Sequence, residues 1–83
     1  MAPEDIAKHL ARDPFEALCI HLANGSSYDV FERWHAGLAR TEMFIGIDMN
    51  ANGIPRRSIL CDPREVTQIE PLPNGPGSRG NGQ

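Results

Sequence analysis

An Asn-Gly pair set between two short alternating runs constrains this chain more than any other feature. In CIHLANGSSYDV, residues 19–30, Ile20 and Leu22 stand two apart before Asn24-Gly25, and Tyr28 and Val30 stand two apart after it. Alternation with period two puts one side of each run against a core. Asn-Gly supplies the positive φ that a type I′ hairpin turn asks of both central residues. The spacing predicts two antiparallel strands joined by such a turn, with Asn24 and Gly25 both at positive φ. It anchors a small β-rich domain and carries no chemistry.

The rest of the chain extends this architecture. PEDIAKHLAR, residues 3–12, reads as a short helix: Pro3 suits its first position, Glu4 and Asp5 its positive end, and Lys8, His9 and Arg12 its negative end. Ile6 and Leu10, four apart, form an apolar stripe that can lie on a sheet. Asp13 precedes Pro14 and is pushed out of the helical region, which ends the helix, while Asp13-Pro14-Phe15-Glu16 offers the cap of one further turn. Residues 34–40, WHAGLAR, read as an irregular link. Met43, Ile45, Ile47 and Met49 alternate strictly and mark the clearest strand, one face buried, with Phe44 on the other face. Asn50-Ala51-Asn52-Gly53 turns the chain into residues 54–61, where Arg56, Ser58 and Leu60 share one side and Ile59 and Cys61 the other. Asp62-Pro63 breaks that strand, and Val66 to Pro71 forms a last one. Pro55 and Pro71 cannot donate to a ladder and belong at strand ends or edges. The fold class is therefore mainly β with one N-terminal helix: about five short antiparallel strands in a bent sheet or small open barrel, the helix over one end.

Eighty-three residues make one small domain. The segment 73–83, PNGPGSRGNGQ, holds four Gly and two Pro and no large apolar side chain. It cannot bury enough to offset its ordering entropy and reads as a disordered tail, leaving a single domain over 1–72. A core of this size is often supplemented by association. Unpaired strand edges recruit another strand unless blocked, and residues 57–61 and 66–70 lie clear of the two prolines. A homo-oligomer joined through strand edges, as a dimer or a ring, is the expectation.

Eight Lys and Arg against eleven Asp and Glu leave a net charge of −3, and a nucleic-acid binder shows a basic excess or stripe instead. Here Arg33, Arg40, Arg56, Arg57 and Arg64 are interspersed with Asp29, Glu32, Glu42, Asp48, Asp62 and Glu65, the mixture of a solvated surface. No apolar run nears the roughly 18 residues of a membrane span. MAPEDIAKHL is acidic, with neither the basic flank nor the apolar core of a secretion signal. The chain reads as cytoplasmic, without membrane association, and its two cysteines as reduced thiols.

The order of elements resembles that of the Sm-like family, Hfq among its members, which has an N-terminal helix, five curved strands and a first hairpin turning on Asn-Gly or Asp-Gly. CIHLANG matches its first strand and turn, and EVTQIEPL, with Val66, Ile69 and Pro71, its last strand. The chain is also similar to small uncharacterised bacterial proteins that read Pro-Phe, Ile-His-Leu, Asp/Asn-Gly and Tyr/Phe-x-Val. Those residues here are Pro14-Phe15, Ile20-His21-Leu22, Asn24-Gly25 and Tyr28-x-Val30, and the resemblance spans about 14–72. It implies a small open Sm-like barrel and, for the Sm-like family, RNA binding around a ring. The departures bear on function. Hfq sets Tyr-Lys-His between its last two strands, whereas the link here is Leu60-Cys61-Asp62-Pro63. Asp13-Pro14-Phe15 lies at the far end of the helix instead of near its start. No RNA-binding residue carries over.

Cys19 and His21 share a strand face, and with Cys61 and His35 they compose a zinc-type ligand set, but Cys-x-His within a strand is not the turn spacing from which structural zinc sites usually draw their ligand pairs. Packing as small buried thiols accounts for both cysteines. Asp62 beside Cys61 raises a thiol pKa, against nucleophilic use. Pairs such as Glu65 and Glu70, or Asp29 and Glu32, occur in any chain this size, and there is no phosphate-binding glycine loop. No metal, cofactor or catalytic residue is expected, and an enzyme is disfavoured. Phe31, Arg33, Trp34 and His35 are the only place where aromatic and basic residues interleave. Trp34, Phe31, Phe44 and Arg33 are the candidate surface for a protein partner, since Trp and Phe suit binding hot spots. Packing beneath the helix accounts for Trp34 and Phe44 as well. The reading is a non-catalytic protein-interaction or self-assembling module. The alternative is an Sm-like RNA binder using Arg56 and Arg57, with Arg33, around a ring.

Overall fold

The computed structural model describes residues 1–72, so the tail expected over 73–83 lies outside the described residues. Helix α1 spans Pro3–Leu10, followed by β1 (Leu18–Leu22), β2 (Ser27–Val30), a 3-10 turn (Arg33–His35), β3 (Ala36–Leu38), β4 (Met43–Met49), β5 (Pro55–Cys61), a second 3-10 turn (Pro63–Glu65) and β6 (Val66–Pro71). The helix has Pro3 at its start, acids in its first turn and Lys8 and His9 in its last. Ile6 is its fully buried residue, a burial that stabilises by roughly 2 kcal/mol. No further helical turn forms over 13–16.

The strands form two antiparallel three-stranded sheets, ordered β2-β1-β6 and β3-β4-β5. This corrects the expected five strands in one bent sheet or open barrel: the described residues hold six, divided between two sheets, and close no barrel. The sixth is β3, inside the segment read as an irregular link. Ala36-Gly37-Leu38 is too short to show alternation, and its pairing with Ile45, Phe44 and Met43 is what makes it a strand. Ile6, Leu18, Ile20, Val30, Met43, Ile45 and Val66 form the buried core. In β4 the expected alternation holds, Met43 and Ile45 buried and Phe44 exposed.

The first hairpin turns differently from the expectation. Gly25 is at φ 92, but Asn24 is not at positive φ. The Gly25 amide donates to the Leu22 carbonyl at 3.0 Å and Leu22 N to Ser26 O at 2.8 Å. Such a loop is wider than a two-residue turn and needs a single left-handed residue at its end. Asn24 serves through its side chain, Oδ1 accepting from the Ser26 amide at 2.8 Å. The second turn repeats the device, with Gly53 at φ 79 and Asn50 Oδ1 accepting from the amides of Asn52 and Ile54.

Asp62 and Glu65 cap the second 3-10 turn reciprocally: Asp62 Oδ1 accepts from Arg64 N at 2.8 Å and Glu65 Oε1 from Asp62 N at 3.1 Å. The Met1 amino group donates to Val66 O at 2.8 Å, drawing the start of the chain onto the last strand. Among the described residues no helix is long and apolar enough to cross a membrane.

Candidate functional site

The outward face of β3-β4-β5 carries two glycines, each covered by a ring from the neighbouring strand. Gly37 pairs with Phe44 across β3 and β4, and the Phe44 ring lies over it so closely that a Cβ there would collide with the ring. An aromatic side chain shielding a glycine on the neighbouring strand is a known device for closing a sheet surface. At Gly46 a Cβ would stand 2.5 Å from the Pro55 ring. Beside these rings runs an open groove of about 600 Å³, with Trp34, Phe44, Ile54 and Leu60 around it and Arg56 and Arg57 along it. Trp34 is 56% exposed and Leu60 73%.

His35 fixes Trp34 in place. Its ring is buried and packs edge-on to the indole at 4.3 Å between centroids. Its Nε2 lies 3.0 Å from the Gly53 carbonyl, which only accepts, so Nε2 carries the hydrogen and Nδ1 is left without a partner. A second hollow of about 550 Å³ opens on the other side of Trp34, bounded by Phe31, Glu32, Met49 and Asn52.

The structure thus brings Trp34, Phe44 and Phe31 to adjoining hollows but turns Arg33 elsewhere. Arg33 Nε donates to Leu10 O at 2.8 Å, Nη2 donates to Arg12 O, and the guanidinium stands 5.7 Å from the Phe15 ring centre. A cation on the last carbonyls of a helix is favourably placed against its dipole, so Arg33 fastens α1 to the sheets. Arg56 and Arg57 are side by side, each 3.6 Å from the Asp48 carboxylate. A shared counter-charge is a poor preparation for phosphate. Leu60 and Ile54, which sequence reasoning did not select, complete the apolar groove; Leu60's position on the side of β5 away from Ile59 and Cys61 was the available signal.

The four residues weighed as a zinc set do not meet. Cys61 is on β5 and His35 in the 3-10 turn after β2, while Cys19 and His21 are on β1 in the other sheet. β6 brings Glu70 instead: it pairs with Cys19, and its Oε1 lies 2.9 Å from His21 Nε2. Burial, then a hydrogen bond with Asp29 and its charge, pushes the Cys19 thiol up. Burial, then the Glu65 and Asp62 carboxylates, does the same to Cys61. Neither thiol is prepared as a free nucleophile.

Comparison with models of protein families, with curated proteins and with solved structures yields no match to this chain.

Proposed function

We propose that the protein is a non-catalytic, self-assembling interaction module whose copies join through strand edges, β5 of one against β6 of the next. The observation that carries the reading is Leu60: the most exposed large apolar side chain among the described residues lies on β5, which is also an edge of its sheet. A strand laid along β5 satisfies that edge's unpaired amides and carbonyls and covers Leu60 with its own side chains. One joint therefore accounts for both the edge and the groove beside it.

Charge selects the mate. Two β5 edges laid together would bring four arginines, Arg56 and Arg57 of each copy, onto one short ladder, where any that come opposite one another are destabilising. β6 carries no basic residue and is the edge of the other sheet. A β5-to-β6 joint is head-to-tail, so it closes into a ring where the rotation allows and otherwise continues as a chain. The order of elements that resembles the Sm-like family is compatible with a ring, while the pairing of Arg56 and Arg57 with Asp48 and the net charge of −3 weigh against RNA as its occupant.

Light scattering on the unmodified protein at micromolar concentration, with the 260/280 nm absorbance ratio of the same peak, tests the reading. A mass of several subunits with a protein-like ratio is expected. A monomer overturns the assembly, and an assembly carrying co-purified nucleic acid overturns the ranking against RNA.

A further inference from the structure

We propose that Cys19, His21 and Glu70 form a site for a zinc-class divalent cation on the face of the β2-β1-β6 sheet turned away from the core. One ligating atom from each lies within 4.8 Å of the others. The residues come together through regular pairing: Cys19 and His21 are two apart on the central strand, and Glu70 is the partner of Cys19 in β6. The scaffold is therefore built before any metal arrives.

The donors specify the kind of ion. Thiolate, imidazole and carboxylate together are what Zn²⁺ takes, whereas Ca²⁺ and Mg²⁺ call for oxygen ligands alone. Zinc–ligand bonds of about 2.0–2.3 Å set tetrahedral ligand atoms roughly 3.3–3.8 Å apart. The 4.8 Å limit closes to that range, and the 2.9 Å His21–Glu70 contact opens to it, by rotation of two side chains that are both partly exposed. On binding, the Cys19 sulfur exchanges its proton, released to solvent, for a bond to the metal. His21 gives the Nε2 lone pair and Glu70 a carboxylate oxygen, leaving a fourth position to water. Asp29, opposite Cys19 on β2, accepts the thiol hydrogen in the metal-free chain and gives up that bond when the proton leaves.

The test is a titration of the intact chain, first stripped with a chelator, by Co²⁺ and then by Zn²⁺. Expected are a stoichiometric thiolate-to-cobalt charge-transfer band in the near ultraviolet, visible bands of a tetrahedral site, and loss of both on adding Zn²⁺. Cys61→Ser retains the band and Cys19→Ser abolishes it. His21→Gln and Glu70→Gln, at partly exposed positions that keep the fold, each weaken Zn²⁺ binding by at least about tenfold, the scale on which metal-site partners act. No charge-transfer band in the unmodified chain overturns the proposal, as does a band that follows Cys61. Unchanged affinity in both the His21 and Glu70 variants overturns it even if Cys19→Ser fails to fold.

Discussion

Gly25 has open space where a Cβ would stand, so any cost of replacing it comes from its backbone alone, at φ 92. Gly25→Val is expected to lower stability by about 1–2 kcal/mol, the penalty of a left-handed L residue, read from the denaturant midpoint. Asn24→Ala, which loses only the Oδ1 bond to Ser26, should cost about 0.5–1 kcal/mol. The contrast separates this loop from a two-residue turn, in which both positions would be equally exacting. Asn-Gly announced the hairpin, but the choice between turn geometries depends on how the flanking strands pair. Asp48 was not legible at all. It is the non-glycine residue at positive φ among the described residues, φ 60, and sits inside the clearest alternating run of the chain. Alternation reports which side a residue faces and is blind to its φ.

At the scale of elements, the turn between β5 and β6 gives a pH signature. The Arg64 side chain first, and then its amide, hold the Asp62 carboxyl at about 2, below its ordinary 3.8. Because the folded value is the lower one, this contribution is complete above the ordinary value and is lost as pH falls through about 2. Asp62→Asn is therefore expected to flatten the acid limb of the stability profile below about pH 4 while changing its slope little at neutral pH, as followed by thermal melts across pH. The helix and the longer strands were legible because each carries its own period. β3 has three residues and no period, so only its partner β4 defines it. Glu70 reached the Cys19–His21 pair through the register of β1 against β6, which sets it beside His21 from 49 residues further along the chain and which no local pattern encodes. Arg33 read as a surface group since nothing in Phe-Glu-Arg-Trp signals that helix carbonyls lie within its reach.

For the molecule as a whole, the exposed apolar side chains gather on one flank, and substitution there tests the proposed assembly apart from folding. Leu60 is solvent-exposed and contributes little to its own subunit. Leu60→Lys should leave the melting midpoint within about 0.5 kcal/mol of the parent, as surface changes usually do, and reduce the scattering mass to that of a monomer. Ile59→Pro removes a ladder donor from the same strand but also disturbs packing beneath it, so its loss of mass is interpretable only beside an intact melt. A mass unchanged by Leu60→Lys would place the joint elsewhere.

The passage from β5 to β6 is only four residues long, Asp62 to Glu65, yet it joins an edge of one sheet to an edge of the other. In an array built through those edges, a tensile load entering a subunit by β5 would leave it by β6 along this shortest path. The hairpins and the helix would carry almost none of it. Within each subunit the load path would then narrow to one capped turn, the Asp62–Arg64 contact at 2.7 Å lying beside it.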